Sequence, residues 1–314
     1  MSKTLIDQLV SIPDITENKA QLLITGKYYI KIKENGKEKK IKLPKIKNLN
    51  QLKQKNIIFH LPTTTQLSLI FLSGSSLLEH ELLKNVYNSF VDYLNKFNPS
   101  VQLDKYKENK LITEQDKIEN DKKNYSIHKN KSISIYCVGS FRRLKSISRD
   151  IDVLVIYKNE NTQKLIIPNF DKGIKDLKYY IDTYNITNIK NISPTIMQKL
   201  PKIIPLQDGQ HSKRLLYKFC ISKSKKPQYK YYKIDIFINY QPSFYYALIH
   251  HTGDGQFNIA MRAHAKHQGY LLNQYGLFNN TSNKNILPNP KSERDIFDYI
   301  NKTWKYPWKR TIKK

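Results

Sequence analysis

The pattern of hydrophobic and polar positions divides the chain into segments of different type. Apolar residues recur with helical spacing over residues 5–24, with a break at Pro13, and again over 49–55 and 63–97. Between them, residues 27–43 alternate apolar and charged positions on either side of an Asn-Gly dipeptide, which favours a tight hairpin turn. We therefore predict a mostly helical N-terminal segment that contains a helix–turn–helix and one β-hairpin.

A second type of pattern begins after residues 101–132, a polar, charge-dense segment that we interpret as a linker or an exposed insertion. Runs rich in β-branched and aromatic residues then predict four strands, over 132–138, 151–157, 213–222 and 230–239. From residue 244 helical spacing returns, around 257–266 and, after a looped stretch, over 293–302. We therefore expect an α+β fold, in which a mixed sheet with helices lies between an N-terminal helical lobe and a C-terminal lobe.

Charge is the strongest signal in the composition. The 314 residues include 54 Lys+Arg against 26 Asp+Glu, for a net charge of +28. A chain this basic is expected to bind a polyanion such as DNA, RNA or an anionic membrane. An A/T-rich genome, which enriches Lys, Asn, Ile and Tyr together, is the alternative source of the same bias.

The cysteines, the N-terminus and the length of the apolar runs indicate the cellular location. Cys137 and Cys220 each lie in an apolar run, so we predict buried free thiols and a reducing compartment. The N-terminus lacks the pattern of a signal peptide, and no apolar run reaches the roughly 18–20 residues of a membrane span. We expect an intracellular protein with no membrane partner.

Three aspartates on two predicted strands are the candidate catalytic residues. Asp150 and Asp152 are two positions apart at the start of a strand, so both side chains point to the same side. Asp235 interrupts an apolar strand, where a carboxylate is costly unless it is paired or bound to a metal. Three such groups are suited to hold two Mg²⁺ ions for phosphoryl transfer. Solvated acids at a strand edge are the alternative interpretation.

Two further groups are suited to bind a nucleotide. Gly139 lets a phosphate approach the backbone at the start of a helix, Ser140 offers a hydroxyl, and Arg143 offers two parallel hydrogen bonds to phosphate oxygens. Asn258 and Arg262 are four apart on a predicted helix and share one face, where they could contact the nucleobase and the neighbouring template position. Taken alone, Asn258 and Arg262 could equally be ordinary polar residues on the surface of a helix.

In order and spacing, these segments resemble the DNA polymerase X family, whose archetype is DNA polymerase beta. The motifs are GSFRR…DID, KIDIF, HTG…FN…MRAH, LNQYGLF and SERDIFDYI, and in style they are closest to the reduced members of large DNA viruses. The resemblance implies a DNA-directed DNA polymerase that fills short gaps in DNA repair, including base excision repair. It implies two Mg²⁺ ions, with Mn²⁺ as a substitute, dNTP and gapped or nicked DNA as partners, and a monomer. A viral protein of this kind is expected in the host cytoplasm or in the virion.

The resemblance also implies roles and lobes. Metal binding falls to Asp150, Asp152 and Asp235; nucleotide binding to Gly139, Ser140, Arg143, His250, His251, Gly253 and Asn258, with Gly253 in a cis-like turn; and DNA contacts to Arg262, Tyr275, Asn273 and Lys233. The implied lobes are a helical DNA-binding lobe with a basic hairpin (1–99), a catalytic palm (100–243) and a nucleotide-binding lobe (244–314).

The chain departs from the family pattern at several positions. His250-His251 replace Tyr-Phe, which leaves sugar selectivity open, and Phe237 replaces an arginine, which predicts a different closing switch. Asp14 and Thr16 replace the glycines of a helix-hairpin-helix turn, so DNA binding and simple packing both remain open there. No segment resembles the lyase domain, and we expect no deoxyribose-phosphate lyase activity. A template-independent nucleotidyltransferase on the same palm and a non-catalytic DNA-binding protein are the alternatives.

Overall fold

A computed structural model describes residues 5–10, 12, 15–34, 37–72, 78–107, 113–127, 131–158, 165–168, 170, 172–222, 224 and 227–311. Helices and strands are mixed along the chain, as the α+β prediction requires. The chain forms two compact units, each assembled from separate stretches: Met1–Ser76, Asn169–Asp208 and Arg214–Lys233 in the first, and Leu77–Pro168, Gly209–Lys213 and Ile234–Lys314 in the second. The division into three lobes stays a prediction.

The N-terminal third contains the predicted helix–turn–helix and hairpin. Its elements are α1 (Leu5–Val10), α2 (Glu17–Thr25), β1 (Tyr29–Glu34), β2 (Lys37–Lys42), α3 (Leu49–Leu52), α4 (Lys55–Ile58), α5 (Thr63–Phe71), β3 (Leu78–Glu79) and α6 (His80–Phe97). The Thr16 side chain caps α2 by accepting a hydrogen bond from the backbone of Lys19, and Gly26 ends it in the left-handed region. The predicted turn residues Pro13, Asp14 and Asn35-Gly36 lie outside the described residues.

The middle third adds most of the sheet. Its elements are α7 (Glu114–Asn124), β4 (Ile133–Cys137), α8 (Gly139–Arg142), β5 (Ile147–Ser148), β6 (Ile151–Tyr157), α9 (Leu177–Tyr184), α10 (Pro194–Lys199), β7 (Ile203–Asp208), β8 (Ser212–Ser222) and β9 (Gln228–Tyr240). The four predicted strands are present. The supposed linker carries α7, whose start is stabilised by reciprocal hydrogen bonds between Thr113 and Asp116, so composition alone understated its structure.

The last third consists of α11 (Phe244–Thr252), α12 (Gly255–His267), β10 (Tyr270–Asn273), β11 (Gly276–Asn279) and α13 (Glu293–Tyr299). Part of the stretch predicted to be looped is thus a hairpin. Its turn is closed by the Asn273 side chain, which accepts hydrogen bonds from the backbone N–H groups of Tyr275 and Gly276 at 2.8 and 3.2 Å.

The described residues of the first unit share a large hydrophobic core. It joins α1–α5 to α9, β7 and parts of β8 and β9, and its fully buried members include Leu9, Leu67 and Leu216. Phe71 is central to it, since its ring lies 5.4 Å from that of Tyr180 and 5.7 Å from that of Tyr231. Within this unit the sheet runs in the order β7-β8-β9.

The second unit contains a mixed sheet in the order β4-β6-β9, with β4 antiparallel and β9 parallel to β6. A smaller core joins α12, β10, β11 and α13 around Phe257, Met261 and Phe297. Both cysteines are free; Cys137 is buried as predicted, whereas Cys220, near the end of β8, is only half-buried. Within the described residues, no helix combines the length and the apolar character needed to cross a membrane.

Candidate active site

The parallel pairing of β6 with β9 brings the three aspartates together. Asp152 lies directly opposite Asp235 in the register, and Asp150 immediately precedes β6. One carboxylate oxygen from each of the three lies within 4.8 Å of the others, and all three residues are half-buried. Ile151 and Val153, which alternate with Asp152, are fully buried. Carboxylates this close repel one another unless a cation lies among them, so the cluster could hold a divalent metal ion.

Gly139 makes room for one of these acids. Its φ of +62° lies in the left-handed region, and a Cβ placed there would lie 1.9 Å from Oδ2 and 2.7 Å from Cγ of Asp152. The neighbouring Val138 donates its backbone N–H to the Asp152 carbonyl at 2.8 Å. The glycine is therefore required by the close approach of a carboxylate, a reason that the motif itself does not reveal.

Ser140 and Arg143 follow Gly139 at α8 and have separate partners. The Ser140 hydroxyl is 2.5 Å from that of Ser148, which in turn donates to the carbonyl of Asp150 at 2.8 Å. Arg143 donates from Nη1 to the Thr252 carbonyl at 2.5 Å. Its Nε is buried and makes no hydrogen bond with any described residue. Burial lowers the pKa of Arg143, while Asp254, Asp152 and Asp150 act in the opposite direction, so the guanidinium lies in the field of the acidic cluster.

A buried ionic network, to which the sequence motifs assigned no role, holds α8 in place. Arg142 donates to Asp121 at 2.9 Å, to Glu293 at 2.7 Å and to the Thr252 hydroxyl at 2.9 Å. Arg310 donates to the other Glu293 oxygen at 2.8 Å. Burial alone would raise the pKa of Glu293, but the two guanidinium groups outweigh it and hold that pKa at about 2. The network thus connects α7, α8, α11, α13 and the C-terminal segment.

Two residues of this network lie within the sequence motifs, but the sequence does not show that they interact. Arg142 is the second-to-last residue of GSFRR, and Glu293 lies in SERDIFDYI. Either residue could have been a surface charge, because neither the spacing nor the composition shows that a guanidinium is 4% exposed and a carboxylate 5% exposed. Only the packed structure identifies them as partners 151 positions apart.

His250 and His251, near the end of α11, have different neighbours. The His251 ring stacks on Phe237, with centroids 4.1 Å apart and planes at 16°. Nδ1 of His250 lies 2.9 Å from Nη2 of Arg262. Burial lowers the pKa of His251 to about 3; burial, with a contribution from Arg262, lowers that of His250 to about 4. Both imidazoles are therefore neutral at pH 7, and two departures from the family pattern, Phe237 and His251, contact each other.

Helix α12 begins at a turn formed by Gly253 and Asp254. The Asp254 side chain caps the helix by accepting from the backbone of Phe257 at 2.8 Å. A Cβ at Gly253 would lie 2.6 Å from Phe257 and 2.9 Å from the amide oxygen of Asn258. The described chain has no cis peptide bond, so the cis-like turn expected at Gly253 is wrong. The cap supplies the change of direction instead.

Four of the predicted residues share one small cleft. His250, Asn258, Arg262 and Asn273 all line it, and Asn258 donates to the His250 carbonyl at 2.6 Å. Tyr275 is 41% exposed at the β10–β11 turn. Lys233 is half-buried on β9, two positions before Asp235. The structure thus places each residue, while the individual roles in nucleotide and DNA binding stay predictions.

Comparison with known proteins supplies the remaining evidence. A family model described as the DNA polymerase beta thumb matches residues 247–311, a stretch that begins within α11 and includes α12 and α13. The chain is 28% identical over 180 residues to a Repair DNA polymerase X of African swine fever virus, which covers 57% of this chain and 82% of that protein. The protein of the same name from a second isolate is 27% identical over 180 residues, with the same coverage.

A vertebrate protein matches more distantly. The DNA nucleotidylexotransferase of Xenopus laevis is 26% identical over 182 residues, which are 55% of this chain and 35% of that protein. The viral relatives are thus covered over most of their length, and the thumb model matches the C-terminal elements beside the aspartate cluster in the same unit. These matches support assignment of the chain to the DNA polymerase X family, and its sequence is similar to that of the viral Repair DNA polymerase X.

Proposed function

We propose that this protein is a DNA-directed DNA polymerase that fills short gaps in DNA repair by two-metal nucleotidyl transfer. The observation that carries the proposal is the cluster of Asp150, Asp152 and Asp235, with one oxygen of each within 4.8 Å of the others. Relatives named Repair DNA polymerase X and the match to a DNA polymerase beta thumb support the same activity.

The donor set of this cluster fits Mg²⁺, with Mn²⁺ as a substitute. All three ligands are carboxylates, the hard oxygen donors that Mg²⁺ prefers, and their half-exposed position leaves room for water and phosphate oxygens. Cations bound there would lower the pKa of the attacking 3′-hydroxyl and neutralise charge on the leaving pyrophosphate. The contribution of the protein is to hold Asp152 and Asp235 in register on adjacent strands.

Ser140 and Arg143 are proposed to bind the triphosphate of the incoming dNTP. Arg143 is fixed by the Thr252 carbonyl, and its buried Nε is left to donate to a ligand, since no described residue accepts from it. The Ser140 hydroxyl must exchange its contact with Ser148 for a phosphate oxygen. Nearby aspartates favour the charged form of Arg143. A bound triphosphate, which is also negatively charged, would favour it in the same way.

The cleft lined by His250, Asn258, Arg262 and Asn273 is proposed to receive the base of the nucleotide and the adjoining DNA. His251 is proposed to lie against the sugar. Gly253 is proposed to let the turn before α12 approach Phe257 and Asn258 closely. Tyr275 and Lys233 are proposed as DNA contacts. We propose gapped or nicked DNA as the substrate, a monomer as the active form, and an intracellular location, for which two free thiols are suited.

The test is extension of a primer into a one-nucleotide gap with a downstream 5′-phosphate, with each dNTP and rNTP in turn. Asp235→Asn should reduce incorporation by about 1,000-fold or more, since the cluster is asked to supply several kcal/mol of charge stabilisation. Asp182→Asn, an exposed aspartate on α9, is the matched control and should retain activity. Absence of incorporation by the unmodified protein with Mg²⁺ and with Mn²⁺ would refute the proposal, and equal extension without a template would replace it by terminal transfer.

A further inference from the structure

The β1–β2 hairpin in the first unit has one face rich in lysine. In its antiparallel register, Tyr29 lies opposite Lys42 and Lys31 lies opposite Lys40. Because side chains alternate along a strand and paired residues share a side, these four belong to one face. All four are exposed, Tyr29 to 54% and the Lys31 side chain to 65%. We call this set the lysine face.

The opposite face anchors the hairpin. Ile30, which alternates with Tyr29 and Lys31, packs against the core of the first unit. Leu43, directly after β2, is 3% exposed and donates its backbone N–H to the Tyr28 carbonyl at 2.9 Å. The attachment of one side to the core leaves the lysine face turned away from it. The hairpin is therefore attached to the core of the first unit through Ile30 and Leu43.

The lysine face weakens the hairpin that carries it. Like charges placed directly opposite each other in an antiparallel pair are destabilising, and Lys31 and Lys40 are such a pair. One acid, Glu38, lies 3.2 Å from Lys31, which leaves an excess of positive charge on the face. A hairpin of the same register with alternating charges would be more stable alone. An anionic partner on this face would offset the repulsion between these lysines.

We propose that the lysine face binds the phosphate backbone of duplex DNA; the choice of DNA rests on the proposed function. Successive side chains on one face of a strand are about 6.7 Å apart, and two strands present them in parallel rows, which suits a repeating row of phosphates. Lysine is a flexible point charge, without the fixed fork that reads guanine. The contact is therefore independent of DNA sequence. It increases the affinity for DNA and takes no part in nucleotidyl transfer.

The experiment compares two triple variants of the full chain. Lys31→Ala/Lys40→Ala/Lys42→Ala removes the lysines of the face, and Lys178→Ala/Lys190→Ala/Lys199→Ala removes three exposed lysines of the same unit outside the hairpin. Binding to a gapped duplex is measured over a series of salt concentrations. Each phosphate contact contributes about 0.9 to the slope of log K against log salt, so the hairpin variant should lose between about 2 and 3 from its slope and bind at least 10-fold more weakly at low salt.

Three further readouts separate the proposal from its rivals. Lys→Arg at the same three positions should keep the slope of the unmodified protein, and the thermal midpoint of the alanine variant should be no lower, since a repulsive pair has been removed. At saturating DNA its kcat should be unchanged while its KM for DNA rises. Equal slopes for both alanine variants would overturn the proposal, as would a loss confined to RNA or to anionic vesicles. Binding is measurable even if no nucleotide is incorporated, so failure of the polymerase proposal would be seen separately.

Discussion

Gly139→Ala should damage the metal-binding cluster directly. The added methyl group would lie 1.9 Å from Oδ2 of Asp152, and ordinary contact begins at 3.4 Å, so the carboxylate must recede by about 1.5 Å. Displacement of a catalytic group by about 1 Å can cost about 100-fold in rate. The φ of +62° at this position adds a backbone strain of about 1–2 kcal/mol for a residue with a Cβ. We expect kcat for gap filling to fall at least 100-fold, with a higher Mg²⁺ requirement.

The matched control is Gly173→Ala. Gly173 has a φ of +69°, and a Cβ there would meet no described atom within 4 Å, so it imposes the same strain without displacing a carboxylate. In a denaturant titration Gly173→Ala should lose about 1–2 kcal/mol of its free energy of unfolding, and Gly139→Ala at least as much. Only Gly139→Ala should lose activity in single-turnover incorporation. A folded Gly139→Ala protein that keeps its rate within 10-fold would refute the view that this glycine exists to admit Asp152.

Two further predictions concern buried charge. Glu293→Gln leaves Arg142 and Arg310 buried without their shared carboxylate, and should lower the free energy of unfolding by at least about 3 kcal/mol, measured by urea denaturation; a loss below 1 kcal/mol would contradict this account. For His250 and His251, whose pKa values fall from 6.5 to about 4 and about 3, the unfolded chain binds more protons than the folded one. Stability should therefore fall as the pH drops from about 6.5 towards 3, and His251→Gln should flatten that slope, an effect that a pH series of thermal midpoints would detect.

The local pattern of the chain determined most of the elements. The Asn-Gly dipeptide between alternating runs predicted the β1–β2 hairpin, and Ile12-Pro13-Asp14 predicted the break between α1 and α2. The two-residue spacing of Asp150 and Asp152 predicted their common side, because the side-chain period of a strand is two. These properties depend on neighbours in sequence, and a single chain displays them.

Failures of prediction occurred where local and tertiary preferences differ. Residues 101–132 are polar enough to suggest a linker, yet α7 forms there because Thr113 and Asp116 cap it and Asp121 pairs with Arg142. The β10–β11 hairpin was missed because its turn depends on the Asn273 side chain, without the Asn-Gly signal. Each case needed one specific contact that composition does not encode.

By itself, the sequence determined which residues could bind metal and phosphate, and its motifs predicted the resemblance to the DNA polymerase X family that the comparisons support. Only the tertiary structure decided that Asp235 lies opposite Asp152, that Gly139 is needed for the approach of a carboxylate, and that Arg142 and Glu293 share a buried ion pair. The reason is physical: spacing along a strand or helix sets the direction of a side chain, whereas distance between remote segments is set by how sheets pair and cores pack. Close approach and burial, which control charge and pKa, arise only at that second level.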